Sequence, residues 1–143
     1  DEGILPRKKI RLRWYSNKRK ITKETKISSL EGRFKISSDF KQLNFLKDYK
    51  FNFIDNFYGL LSPKIIISYT REYFYLNKIR ITFDSDIQYK GLLGIKKGIY
   101  KDYEAVMEVK TNINNNLDAL IGFIDLPTSR FSKYCRGIEL ITK

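Results

Sequence analysis

Arg11 and Arg13, one residue apart in KIRLRWY, can grip an anion together if they project from the same face of a strand. A guanidinium group matches the oxygen geometry of carboxylates and phosphates and stays charged throughout the physiological pH range. The same alternation recurs in Glu24 with Lys26, Glu108 with Lys110, Tyr69 with Arg71, and, over four residues with Thr82 between, Arg80 with Asp84. Successive strand side chains point to opposite faces, so each set lies on one face of its strand. Two arrangements satisfy this pattern. The charged faces can meet water on an antiparallel sheet that has helices on its other side. Alternatively they turn inward, which requires a hydrated or anion-filled interior, because cations buried together without a counter-anion would cost many kcal/mol. Periodicity does not choose between the two.

Composition narrows the chemistry. The 143 residues, about one domain, carry 28 Lys plus Arg against 16 Asp plus Glu, a formal charge of +12. That excess favours a polyanionic partner, whether nucleic acid, an anionic membrane surface, or a nucleotide or phosphate polymer. No RNP, KH or zinc-finger pattern is present, so no specific nucleic-acid partner is expected. The absence of histidine removes the Ser-His-Asp triad, the Cys-His pair and His-ligated zinc. Cys135 is the only cysteine, so an intramolecular disulfide is excluded and a cytoplasmic setting is the default. No apolar run approaches the roughly 20 residues of a transmembrane helix, and no signal-peptide pattern opens the chain. Because the first residue is not Met, the chain is expected to begin partway through a longer gene product, where the inner face of a membrane is an alternative setting.

The elements that must position these residues read mainly as strands. Residues 7 to 15 alternate as a strand, KRK at 18 to 20 suits an exposed turn, and residues 21 to 28 form the second arm of a hairpin. Gly32 marks a turn before a short extended piece. From Ser38 a Ser/Asp start signal and apolar spacings of three, four and seven predict a helix or helix pair through about residue 58. KIIISYTREYF and KIRITFDSDI resume strands, followed by a glycine- and lysine-rich loop at 91 to 98 and a short strand at EAVMEVK. The asparagine-rich tail has helix-compatible spacing, broken into two segments by Pro127. Asp84 is read as a turn cap or a partner of Arg80, Trp14 as core, and Lys96 and Lys97 as exposed.

The order of RKKIRLRWYS, ETKISSLEGRFKIS, SYTREYF, IRITFDSDI, VMEVK and RFSKYCRGIE resembles the VTC domain family, polyphosphate polymerases of the triphosphate tunnel metalloenzyme (CYTH-like) superfamily. The resemblance favours the inward arrangement. It implies an α+β fold, an antiparallel β-barrel forming a triphosphate tunnel with helices packed outside, over a single domain spanning residues 1–143. It also implies two further strands upstream, so the chain is expected to lack the front of that barrel. By the resemblance, Arg11, Arg13, Lys26, Arg71, Arg80 and Lys133 are phosphate ligands with catalytic roles. Tyr69, Lys110, Ser132 and Tyr134 join the substrate site, and Glu108 is the carboxylate for Mg²⁺ or Mn²⁺.

The activity implied is transfer of the γ-phosphoryl group of ATP to a growing inorganic polyphosphate chain. Two alternatives share the lining, a triphosphate or tripolyphosphate hydrolase and a non-catalytic polyphosphate-binding module. Replacing Arg11 and Arg13 by alanine is expected to abolish triphosphate binding and leave the fold intact.

Overall fold

The computed structural model describes residues 5–16, 18–40, 49, 51–76, 79–92, 98–110 and 127–142. The chain divides into two units, Asp1–Asp48 and Tyr49–Lys143.

In the first unit three antiparallel strands lie in the order β1 (Arg7–Tyr15), β2 (Lys18–Ser29) and β3 (Gly32–Phe40). Glu24 is opposite Arg11 on one side and Ser37 on the other. This register gathers Arg11, Arg13, Glu24, Lys26 and Lys35 on one face, and Ile10, Leu12, Ile21, Phe34 and Ile36 on the reverse. The expected hairpin is present, but the basic run is not its turn. Tyr15 pairs with Lys18, so the connection is already complete and β2 starts at Lys18. Lys20 then forms an ion pair with Asp39 of β3 at 2.9 Å. The next turn has only Leu30 and Glu31 between the paired Ser29 and Gly32, with Gly32 at φ +147°, a value side-chain-bearing residues rarely adopt.

The helix expected from Ser38 to about residue 58 is replaced by strand, turn and irregular backbone where the residues are described. Ser38 and Asp39 face Lys23 and Thr22 in the ladder, so pairing to β2 overrides the Ser/Asp start signal. Further on, β4 (Phe53–Asp55) pairs antiparallel with β5 (Gly59–Leu61). The buried Asp55 carboxylate accepts hydrogen bonds from the backbone N–H groups of Phe57 and Tyr58, and Gly59 takes φ +70°. Those local turn bonds outweigh the helical spacing of the phenylalanines. Residues 41–48 of the expected helix lie outside the described residues, as do Lys96, Lys97 and the asparagine-rich segment.

The larger sheet of the second unit is built around β7 (Ile79–Gly91). One edge of β7 pairs with β6 (Ile65–Leu76); the other pairs with β8 (Ile99–Lys101) near its end and β9 (Val106–Lys110) near its start. All pairings are antiparallel. The helix α1 (Lys133–Thr142) packs on β6 and β7, so the second of the two expected tail segments is helical, beginning six residues after Pro127. The core is Ile87, Tyr89 and Ile141, with Ile65, Ile67, Tyr100, Val106 and Ile138 against it.

A β-bulge decides what this sheet presents. Ser68 pairs with Gln88 and Thr70 with Ser85, so Tyr69 faces two residues, Asp86 and Ile87. Asp86 absorbs the extra residue at φ +50°. The bulge shifts the alternation by one, so Thr82 and Asp84 before it share a face with Ile87 and Tyr89 after it. One face is therefore polar at one end and apolar at the other. The helix covers the apolar end of this same face, instead of packing on the reverse side of the sheet. The strand-rich α+β class is as expected, with antiparallel sheets and one helix among the described residues. Neither unit's described strands close on themselves into a barrel.

Candidate functional site

The polar end of the second sheet converges on Asp84. Register places Arg71 of β6 directly opposite it, and Thr82 opposite Glu108 of β9. The Arg71 guanidinium donates from Nε at 2.5 Å and from Nη2 at 2.6 Å to the two carboxylate oxygens. Lys133 approaches the same carboxylate from the first turn of α1, Nζ to Oδ2 at 2.5 Å. Asp84 is 1% exposed, whereas its apolar neighbour Phe83 on the reverse face is 38% exposed. At Thr82 and Asp84 the polar face of this strand is the buried one, whereas Arg80 farther along the same face is exposed.

Burial alone would raise the Asp84 carboxyl, but hydrogen bonds from Arg71 and Lys133 and their two charges outweigh it, holding it below the usual carboxylate range. The same hydrogen bond holds Arg71 above its already high ordinary value. Tyr69 adds a ring beneath both cations, 5.2 Å from the Arg71 guanidinium and 5.0 Å from Lys133 Nζ.

Lys133 is placed by the helix start. The Ser132 hydroxyl accepts a hydrogen bond from the backbone N–H of Cys135, and its carbonyl accepts one from Arg136. Ser132 is thus an N-cap. Farther along the helix Arg136 reaches Asp102 at 3.4 Å and Glu104 at 3.3 Å, while Tyr89 donates its hydroxyl to Asp102 at 3.0 Å. These contacts fix the helix on the sheet that bears Asp84. Tyr134, also expected in the site, is half exposed in the first turn, and its side chain makes no hydrogen bond or ring contact among the described residues.

Glu108 is a solvent-reachable acid at the polar end of this sheet face. Its side chain is 47% exposed and bridges to Lys110 at 3.0 Å. Burial raises its carboxyl, and the Lys110 hydrogen bond, followed by the charges of Lys110, Arg71 and Lys133, brings it below the ordinary value. Arg80 lies directly opposite Lys110 and has no ion pair among the described residues. Two like charges in register are unfavourable unless an anion joins them. No group of three or more Asp, Glu, His or Cys side chains able to hold a metal occurs among the described residues. Magnesium-type ions are commonly held by one or two carboxylates with phosphate oxygens and water completing the shell, a mode that Glu108 fits.

In the first unit a second buried carboxylate sits among cations. Glu24, 5% exposed, receives Arg11 at 2.5 Å, Lys35 at 3.0 Å and Arg13 at 3.9 Å. Burial raises its carboxyl, and hydrogen bonds from Lys35 and Arg11 bring it below the ordinary value. Lys26 lies on the same face, directly between Lys9 and Lys35 in the register, so three lysines stand abreast across three strands.

Arg11, Arg13 and Lys26 therefore share one face in the first unit. Tyr69, Arg71, Arg80, Glu108, Lys110 and Lys133 share one end of the sheet face in the second. Sequence reasoning missed Lys35, although Arg33 and Lys35 carry the same i, i+2 signal as the other strands. It also gave Asp84 the wrong partner: Arg80 stands four residues away along the same strand, while Arg71 is directly opposite.

A family model described as the VTC domain matches residues 2–142. No curated protein matches the chain. No solved structure does so either.

Proposed function

The chain belongs to the VTC domain family, which is associated with polyphosphate polymerases, and on that premise we propose that it transfers the γ-phosphoryl group of ATP to inorganic polyphosphate. The observation that carries this reading is the polar end of β7, where Asp84 is buried between Arg71 and Lys133 while Phe83 on the reverse face is more exposed. A sheet that turns its charges inward needs an anion to complete it, and a chain of phosphates supplies charge at regular intervals.

In the transfer, a terminal phosphate oxygen of the polyphosphate attacks the γ-phosphorus of ATP. The bond from that phosphorus to the β–γ bridging oxygen breaks, and ADP leaves with the electron pair. The nucleophile is already an anionic oxygen, so the absence of histidine is no obstacle. Catalysis rests on alignment and charge neutralisation. Arg71 and Lys133 bind transferring phosphate oxygens, with Tyr69 and the Ser132 cap holding them. Arg80 and Lys110 take neighbouring phosphates, and Arg11, Arg13 and Lys26 bind phosphate along the face of the first sheet. Tyr134 borders the Lys133 end of the site. Glu108 would hold Mg²⁺ or Mn²⁺, and such an ion would supply neutralisation of phosphate charge.

The closed triphosphate tunnel of the family is part of this reading, and ATP as donor places the reaction in the cytoplasm. No helix among the described residues is long and apolar enough to cross a membrane. Metal-dependent loss of ATP with simultaneous appearance of ADP and long-chain polyphosphate tests the proposal. Orthophosphate as the sole phosphate product would assign hydrolysis instead.

A further inference from the structure

We propose that Asp84 is a positioning residue: its buried carboxylate sets Arg71 and Lys133 in the geometry that receives phosphate, and keeps its hold once the anion is bound. The inference rests on the phosphate binding proposed above.

The geometry separates two roles that an acid in a basic site can play. An acid that competes with the ligand must be reachable by solvent, as the half-exposed Glu108 is. Asp84 is not: at 1% exposure it lies beneath the cations it binds, and a phosphate would meet Arg71 and Lys133 first. The contacts also leave donors available. Arg71 spends one N–H from Nε and one from Nη2, and Lys133 spends one of three. A guanidinium has five N–H groups and an ammonium three, and Arg71 also bonds the Tyr73 side chain, so four donors remain on the two side chains. Both oxygens of Asp84 are engaged, and Tyr69 constrains the same cations from its ring face. The carboxylate thus fixes the direction of the unused donors.

Charge and geometry predict opposite signs for one substitution. Asp84→Asn leaves the site one unit more positive, which by Coulomb attraction alone would tighten anion binding. The amide, however, offers one acceptor where the carboxylate offers two, and sets an NH₂ group against an N–H donor of Arg71 or Lys133. If Asp84 positions these residues, binding weakens despite the added charge.

The test is calorimetric titration of tripolyphosphate into the wild-type chain and the Asp84→Asn variant at one ionic strength, with the fold checked by circular dichroism. The expected result is an increase in Kd of about tenfold, the scale of one lost charge-assisted hydrogen bond. A Kd that is unchanged or lower would overturn the inference and leave Asp84 as a stabilising ion pair only. Absence of binding by the wild-type chain would overturn the function proposed above, and the inference with it.

A second measurement needs no variant. In the wild-type chain saturated with tripolyphosphate, the Arg71 Nε–H resonance is expected to stay slowly exchanging, because Asp84 still accepts from it. Loss of that protection on adding the anion would show that the carboxylate lets go, and would overturn the inference.

Discussion

Gly137 lies so close to Tyr89 that a Cβ on it would stand 2.5 Å from Cδ1 of the ring, and 2.6 Å from Cδ1 of Ile65. The end of Ile65 can turn aside. Tyr89 cannot, because its ring is fully buried and its hydroxyl is bonded to Asp102. Gly137→Ala is therefore expected to lift α1 from the sheet at a cost of about 1–3 kcal/mol. Since Lys133 rides on that helix, tripolyphosphate affinity should fall with it. Urea unfolding and a binding titration on the same variant check both effects, and a stable variant with wild-type binding would contradict them.

Arg11→Ala combined with Arg13→Ala should lower phosphate affinity by roughly 1.5–3 kcal/mol for each lost charge-assisted contact. The sequence alone suggests an undisturbed fold, but Glu24 would then be buried with only Lys35 of its three cations. Stability should fall as well. Adding Glu24→Gln should restore much of the stability and none of the binding. Chemical denaturation of the double and triple variants, alongside titration, separates the two losses.

Acid sensitivity follows from the buried carboxylates. In both Glu24 and Asp84, burial favours the protonated form, but bound cations outweigh it and hold the folded-state values below the ordinary ones. The unfolded chain then binds protons more readily, so this stability is present above the unfolded values of about 4 and is lost as pH falls through the folded ones. Tm should be nearly flat above roughly pH 5 and decline below it. Asp84→Asn should be less stable at neutral pH and have a shallower acid limb. Equal acid slopes for variant and wild type would contradict this.

Glu108→Gln should leave folding within about 0.5 kcal/mol of wild type, because the side chain is half exposed and its ion pair with Lys110 is solvent-screened. Its effect should appear in the metal titration of turnover, as a higher Mg²⁺ or Mn²⁺ concentration at half-maximal rate. An unchanged metal requirement would remove Glu108 from the metal's coordination.

The strands and their charged faces were legible because alternation is a local property: Arg11 with Arg13, and Thr82 with Asp84, share a face wherever the strand is placed. Three features were not local. The bulge at Asp86 joins the polar run to Ile87 and Tyr89, and the Asp-Ser-Asp cluster in FDSDIQY does not by itself tell a bulge from a turn. The partner of Asp84 depends on the register between β6 and β7, which brings Arg71 opposite and leaves Arg80 farther along. At Ser38 and Asp39 a valid helix-start signal lost to ladder pairing with β2, a long-range competitor that local spacing does not reveal. Lys133 was legible as a candidate from its motif, whereas its place beside Asp84 required the close approach of Gly137 to the sheet.

The basic faces of the two sheets are proposed to be built for a flexible chain of phosphates rather than for polyanions in general. Equilibrium titration of the chain with inorganic polyphosphate and with single-stranded RNA of matched charge, at one ionic strength, tests this most directly. Polyphosphate should bind saturably and at least about tenfold more tightly than RNA, and Arg71→Ala should abolish the preference. Equal affinity for the two polymers, or a preference that survives the loss of Arg71, would contradict it.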